Sequence, residues 1–118
     1  MKGSFRTKKE HDRYAAYLKK RAREDGCPLC QDKETIKGFR YWRIVENTFP
    51  YNRIAKIHHM LLPHRHVTEN MLTAREKSEL QKIKHSYVNR EYEFIFESTH
   101  RTKSIPAHHH LHLITVKD

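Results

Sequence analysis

The sequence predicts an α+β fold with a largely antiparallel sheet, and three observations carry that prediction. Apolar residues recur with a helical period in two stretches and in strand-like runs in four others. Their order is helix, strands, helix, strands, not the alternation of a doubly wound parallel sheet. A chain of 118 residues and 14.3 kDa has room for one domain.

Residues 9–25 read as a helix: Tyr14, Tyr17, Leu18 and Ala22 fall on one face, and Gly26 suits a C-cap. The Cys27-Pro28-Leu29-Cys30 knuckle follows. Residues 39–47, rich in aromatic and β-branched side chains, read as a strand. Phe49 to Arg53 form a turn, and residues 54–63 read as a second strand stopped by Pro63. Thr73 to Glu76 has the capping-box form, and Leu80, Ile83, Tyr87 and Val88 extend a helical stripe to about residue 90. Residues 92–98 and 109–116 read as the remaining strands. Residues 1–26 are thus expected to be a basic helical extension on a domain spanning 27–118, in one compact unit.

Composition narrows the partners. Hydrophobic residues make up 36% and mean hydropathy is −0.95, so the core is small and gains from a metal or a partner subunit. Two cysteines three positions apart cannot staple distant segments, which argues against a disulfide-rich secreted domain. No apolar run approaches the roughly 18 residues of a membrane span. The first residues are charged without an apolar core, so no secretory signal is expected and a cytoplasmic setting is. Lys and Arg number 24 against 14 acids, a net charge of +10 that favours nucleotides, nucleic acid or acidic surfaces without choosing among them.

The densest chemistry is in the last strand. His108, His110 and His112 alternate along it, so they project from one face about 7 Å apart, while His109, Leu111 and Leu113 project from the other. Three imidazoles in a row make a poor structural device, because each has two ring nitrogens to satisfy. Two chemistries suit them: a metal centre, or covalent catalysis by imidazole with a neighbour as acid or base. The Cys27-x-x-Cys30 pair has three readings of its own. They are a redox pair, two unrelated thiols, or half of a zinc site whose other ligands come from His58–His66 or the last strand.

The run His108 to Ile114 resembles the H-φ-H-φ-H-φ-φ signature of the histidine triad family of nucleotide hydrolases and transferases, with His109 at the first φ position. Upstream, Asn47 with Pro50, then His58, Pro63 and His66, is similar to the first half of that family. The resemblance covers roughly residues 27–116. It implies a half-barrel with a mainly antiparallel sheet of about five strands and two main helices. It further implies a homodimer and a nucleotide substrate. His110 would attack the α-phosphorus, giving a nucleotidyl-imidazole that water resolves. His112 would donate to the phosphate and assist the leaving group, and His58 would complete the constellation. Asn47 would lie near the sugar. Glu97 stands where relatives carry an amide that touches substrate, and Ser104 and Lys103 would approach the phosphates. Zinc-containing relatives imply one structural zinc per chain, held by Cys27, Cys30, His66 and His108, which leaves His110 free as nucleophile. The chemistry itself would need no cofactor.

Two other classes compete with this enzyme. One is a zinc-stabilised nucleotide- or nucleic-acid-binding module with little catalysis, motivated by the charge and by Glu97. Between the two lies an enzyme that removes a nucleotide from a nucleic-acid end, with the basic N-terminal helix gripping the strand. The other class is a catalytic metal centre on His108, His110 and His112 together.

Overall fold

The structure, a computed structural model, describes residues 5–21, 26–31, 33–103 and 105–118. Five antiparallel strands form one open sheet in the order β1-β2-β3-β5-β4. They are β1 (Thr35–Gly38), β2 (Trp42–Glu46), β3 (Ala55–Pro63), β4 (Phe94–Phe96) and β5 (Leu111–Val116). The main helices are α1 (Lys8–Arg21) and α2 (Ala74–Ile83). The expected α+β class and antiparallel sheet are therefore observed, with differences at the element ends.

The two faces of the sheet have different covers. Trp42, Ile44, Leu61, Leu111 and Leu113 pack with Leu72, Leu80, Ile83 and Val88 in the main core, under α2 and its continuation. The expected capping box is present: Thr73 Oγ1 accepts from the Glu76 N–H, and the Glu76 carboxylate accepts from the Thr73 N–H. Glu76 also takes both Nε and Nη2 of Arg65, at 3.1 and 2.7 Å, and its backbone carbonyl accepts from Trp42 Nε1 at 2.9 Å. The helix is thereby locked onto β2. Beyond Ile83 the helix widens into a π-turn, Lys84–Val88, before a last turn, Asn89–Glu91.

The opposite face carries Val45, Met60 and Leu62 against Leu29 of the Cys27–Cys30 knuckle, and Ile114 against Tyr51 and Ala55. Cross-strand register sets the histidines here. His58 pairs with Ile114 and Met60 with His112, so His58 and His112 are diagonal neighbours on one face. α1 lies over this side. Phe49 sits 5.2 Å from the Tyr14 ring and 4.7 Å from the Tyr17 ring, with the Arg13 guanidinium 4.3 Å above it. Thr7 Oγ1 accepts from the Glu10 N–H at the start of the helix, and Asn52 binds Thr7 in turn. The Tyr14 and Tyr17 face is thus a docking face. Residues 22–25 of the expected helix lie outside the described residues. Gly26, at φ +97°, takes a backbone conformation that side chains disfavour and turns the chain into the knuckle.

Strand ends depart from the sequence pattern for local reasons. The strand expected from residue 39 begins at Trp42, because the Arg40 and Tyr41 N–H groups donate to the Glu79 carboxylate of α2. The Phe39 N–H closes a turn onto Trp42 O, and β1 precedes it as an exposed edge strand. The last strand begins at Leu111 because the His109 N–H donates to Val67 O instead of to a strand neighbour. No helix among the described residues is long and apolar enough to cross a membrane.

Candidate active site and metal centre

β3 and β5, paired at the centre of the sheet, position the histidines. His58, His110 and His112 are 5%, 5% and 7% exposed. Their hydrogen bonds set the tautomers. The Tyr51 N–H donates to His58 Nδ1 at 3.0 Å, so the His58 proton is on Nε2. That nitrogen lies 2.8 Å from His112 Nδ1, which accepts from it, and the His112 proton is on Nε2 in turn. His110 Nδ1 lies 2.9 Å from its acceptor, the His108 carbonyl, so His110 carries its proton there and its lone pair on Nε2. Asn47 Oδ1 accepts from the Phe49 N–H at 2.8 Å, which holds the turn after β2. Its amide nitrogen then abuts the protonated His58 Nε2 at 3.1 Å, a contact and not a second bond.

Electrostatics keep this cluster neutral. Burial, then the nearby Arg6 charge, pushes His58 down to about 3. Burial, then His58 and His110, pushes His112 down to about 2. His110 is also lowered by burial, against the opposing bond to the His108 carbonyl.

His110 and His112 line a half-open cavity of about 200 Å³ together with Arg6, Tyr14, Tyr17, Asn47, Phe49, Tyr51 and Ser98. Arg6 is 6% exposed. Its guanidinium stacks 4.2 Å from the Tyr14 ring and 4.8 Å from the Tyr51 ring, and its Nε donates to Phe49 O. The wall is therefore aromatic with one buried cation beside the imidazoles. Sequence reasoning missed Arg6, Tyr51 and Ser98 as site residues, and took Tyr14 and Tyr17 only for a packing face. The clustering of Tyr14, Tyr17, Phe49 and Tyr51 was the available signal.

Two expected substrate residues are elsewhere. Glu97 does not line the cavity that holds His110; it is exposed, pairs with Lys103 at 3.7 Å and lines a groove that reaches His112 from the other side. Lys103 is not on the cavity wall either, although its charge acts on both His110 and His112. Ser104 lies outside the described residues.

Cys27, Cys30, His66 and His108 come together as one group, with a donor atom from each within 4.8 Å of the others. Cys30 Sγ is 3.1 Å from His66 Nδ1 and 3.4 Å from His108 Nδ1, and Cys27 Sγ is 3.7 Å from His108 Nδ1. On a tetrahedral ion with ordinary Zn–S and Zn–N lengths, sulfur and nitrogen lie about 3.6 Å apart, so the spacing fits. His108 Nε2 donates to Pro63 O at 3.1 Å, which leaves the Nδ1 lone pair toward the thiols. The chemistry is that of a closed site with four protein donors. His108 points to this group and His110 to the cavity, so the three alternating histidines do not converge on one ion.

Searches with this chain found no matching protein-family model and no matching curated protein.

Proposed function

We propose that the chain is a histidine-triad nucleotide hydrolase or nucleotidyl transferase. Its substrate is a nucleoside phosphate of the dinucleoside polyphosphate or phosphoramidate type, cleaved at the α-phosphorus. The observation that carries the reading is the hydrogen-bond chain through three buried imidazoles, from which their tautomers follow. His110 and His112 both line the cavity; with their Nδ1 atoms engaged, His110 keeps a lone pair on Nε2 and His112 keeps an Nε2–H. A nucleophile and a donor side by side suit an in-line displacement at phosphorus.

In this reading His110 Nε2 forms a bond to the α-phosphorus as the bond to the leaving group breaks. His112 Nε2–H donates to the phosphate and eases departure. Water then attacks phosphorus, its proton passes through solvent to the departed leaving group, the N–P bond breaks, and the lone pair returns to His110. Arg6 supplies positive charge to the phosphates, helped by Lys103, while the Tyr14, Tyr17 and Phe49 rings offer faces for the base. Asn47 holds the turn and reaches the sugar. A zinc ion on Cys27, Cys30, His66 and His108, one per chain, is structural: it ties the knuckle, the segment after β3 and the start of β5 together. A homodimer belongs to the same reading; β4 is an edge strand of the sheet with Phe94 and Ile95 exposed.

The test is turnover of a panel of dinucleoside polyphosphates and adenosine phosphoramidates by the wild type and by His110→Asn. Activity in the wild type that vanishes in the variant supports the reading. An inactive wild type, or an equally active variant, removes it.

A second reading is favoured by one observation. α1 contributes Tyr14 and Tyr17 to the cavity wall while Lys9, Lys19 and Lys20 on the same helix are exposed. In that reading the nucleotide is the end of a nucleic acid whose strand runs along α1. Binding to single-stranded DNA or RNA that weakens steeply with salt supports this, and salt-insensitive or absent binding ends it.

A further inference from the structure

His109 and Glu97 are the two positions where the chain departs from the resemblance most plainly, and the fold brings them together. His109 is 2% exposed. Its backbone N–H is used by Val67 O, and its ring stands edge-on to Trp42 at 6.1 Å. Its Nδ1, however, is buried with no hydrogen-bond partner among the described residues. A ring nitrogen dried in this way is costly unless something partners it.

What lies beside it is carboxylate. His109 forms part of the wall of a cavity of about 660 Å³ with Glu69, from the turn before α2, and Glu97, from the end of β4. One donor atom from each of the three residues lies within 4.8 Å of the others. Donors on one first-row cation are at most about 4.4 Å apart, so a contraction of a few tenths of an ångström closes the set. Two carboxylates at this range repel one another without a cation between them. Lys103 partly answers Glu97 at 3.7 Å; among the described residues no ion pair is made by Glu69.

We propose that Glu69, Glu97 and His109 form a second divalent-cation site, separate from the cysteine-containing group. Two oxygens and one imidazole suit a first-row ion such as Mn²⁺, Fe²⁺ or Zn²⁺, with water completing the shell from the open cavity. Bound there, the ion fastens the segment after β4, which carries Lys103, to the turn that leads into α2.

The probe is Mn²⁺, which thiolates bind poorly. Full-length protein supplied with one equivalent of zinc is titrated with Mn²⁺ while electron paramagnetic resonance follows the free ion. The wild type is expected to take up one Mn²⁺ per chain with a dissociation constant below about 0.1 mM, tighter than a weak surface site. Pulsed measurements should detect nitrogen coupling from one imidazole. Glu69→Gln and Glu97→Gln, both exposed positions, should each weaken uptake about tenfold or more. The proposal is overturned by absent stoichiometric uptake, by absent nitrogen coupling, or by either variant binding as the wild type does. Neither phosphate turnover nor the zinc equivalent enters these readouts, so they stand or fall apart from the proposed enzyme.

Discussion

His58 Nε2 and His112 Nδ1 meet at 2.8 Å across β3 and β5, and this bond leaves Nε2 as the remaining donor of His112, a residue of the cavity wall. The Tyr51 N–H starts the relay by fixing the His58 tautomer. His112→Ala removes the donor itself and should lower kcat on the order of 100-fold or more, within the range of a lost hydrogen-bond donor to developing charge. His58→Ala leaves the donor in place but unaimed, and a loss of about tenfold is expected, as for other orienting partners. Steady-state kinetics on the best panel substrate separate the two. Equal losses would mean that His58 does more than orient.

The cysteine-containing group makes a prediction about stability. Apparent binding energies of structural zinc are about 10–16 kcal/mol, comparable to the whole stability of a domain this size. Cys27→Ser should lose the metal and lower Tm by more than about 10 °C, and strong chelators should do the same to the wild type. Metal analysis with thermal melts checks both. One zinc retained after the substitution would place the metal elsewhere.

The two halves of this group differ in how far the sequence could reveal them. Cys27-x-x-Cys30 is visible by spacing, whereas His66 and His108, 36 and 78 residues beyond Cys30, are named only through the family resemblance, and the pairing of β3 with β5 is what brings them back to the thiols. The Thr73–Glu76 box was readable because a cap is a local device. β1 was not, since every one of its four residues is exposed and no burial alternation marks it. Arg6 was hidden for a related reason: its partners Tyr14, Phe49 and Tyr51 are gathered by tertiary packing. The leucine face of β5 was legible from alternation, and His109 shares it with Trp42 as that alternation requires.

Glu76 should set one acid transition. Its hydrogen bonds with Arg65, and then those with Thr73, hold its carboxyl at about 2, below its ordinary 4.5, against the opposing effect of burial. A depressed carboxylate stabilises the fold above about 4.5, and that contribution is lost as pH falls toward about 2. Thr73→Ala weakens the same device at any pH, at a cost of about 1 kcal/mol or about 5 °C in Tm. Glu76→Gln should remove the pH-dependent part, so its melting temperature should vary less than that of the wild type between pH 5 and pH 3.

The buried histidines act in a different window. His112 faces His58 on β3, Tyr51 before it, Arg6 from the N-terminal segment, His110 on its own side and Lys103 after β4. The Glu97 carboxylate in the groove beside His112 is exposed and paired with Lys103, and the charges that act on His112 disfavour the imidazolium. Folded His58 and His112 stay neutral to about 3 and about 2, whereas the unfolded chain takes up protons near 6.5. Stability is therefore full above 6.5 and falls as pH drops below it, by up to about 1.4 kcal/mol per pH unit for each histidine. Urea midpoints between pH 6.5 and pH 4.5 should decline in the wild type and decline less in His112→Asn. Parallel slopes would show that the folded imidazole protonates as freely as the unfolded one.

Tyr17 tests whether the aromatic wall recognises a base. The ring is half-buried, 4.7 Å from Phe49, and lines the same cavity as His110 and His112. Stacking of a base on such a ring contributes about 1–3 kcal/mol by alanine substitution. Tyr17→Ala should raise KM about tenfold on a purine nucleotide, with kcat nearly unchanged, because the ring touches no reacting atom. Tyr17→Phe keeps the face and should restore most of the loss. A packing role alone would lower Tm and leave KM where it was. Comparing KM for purine and pyrimidine substrates in the two variants then distinguishes stacking from a general loss of the wall, since the larger ring loses more when Tyr17 is removed.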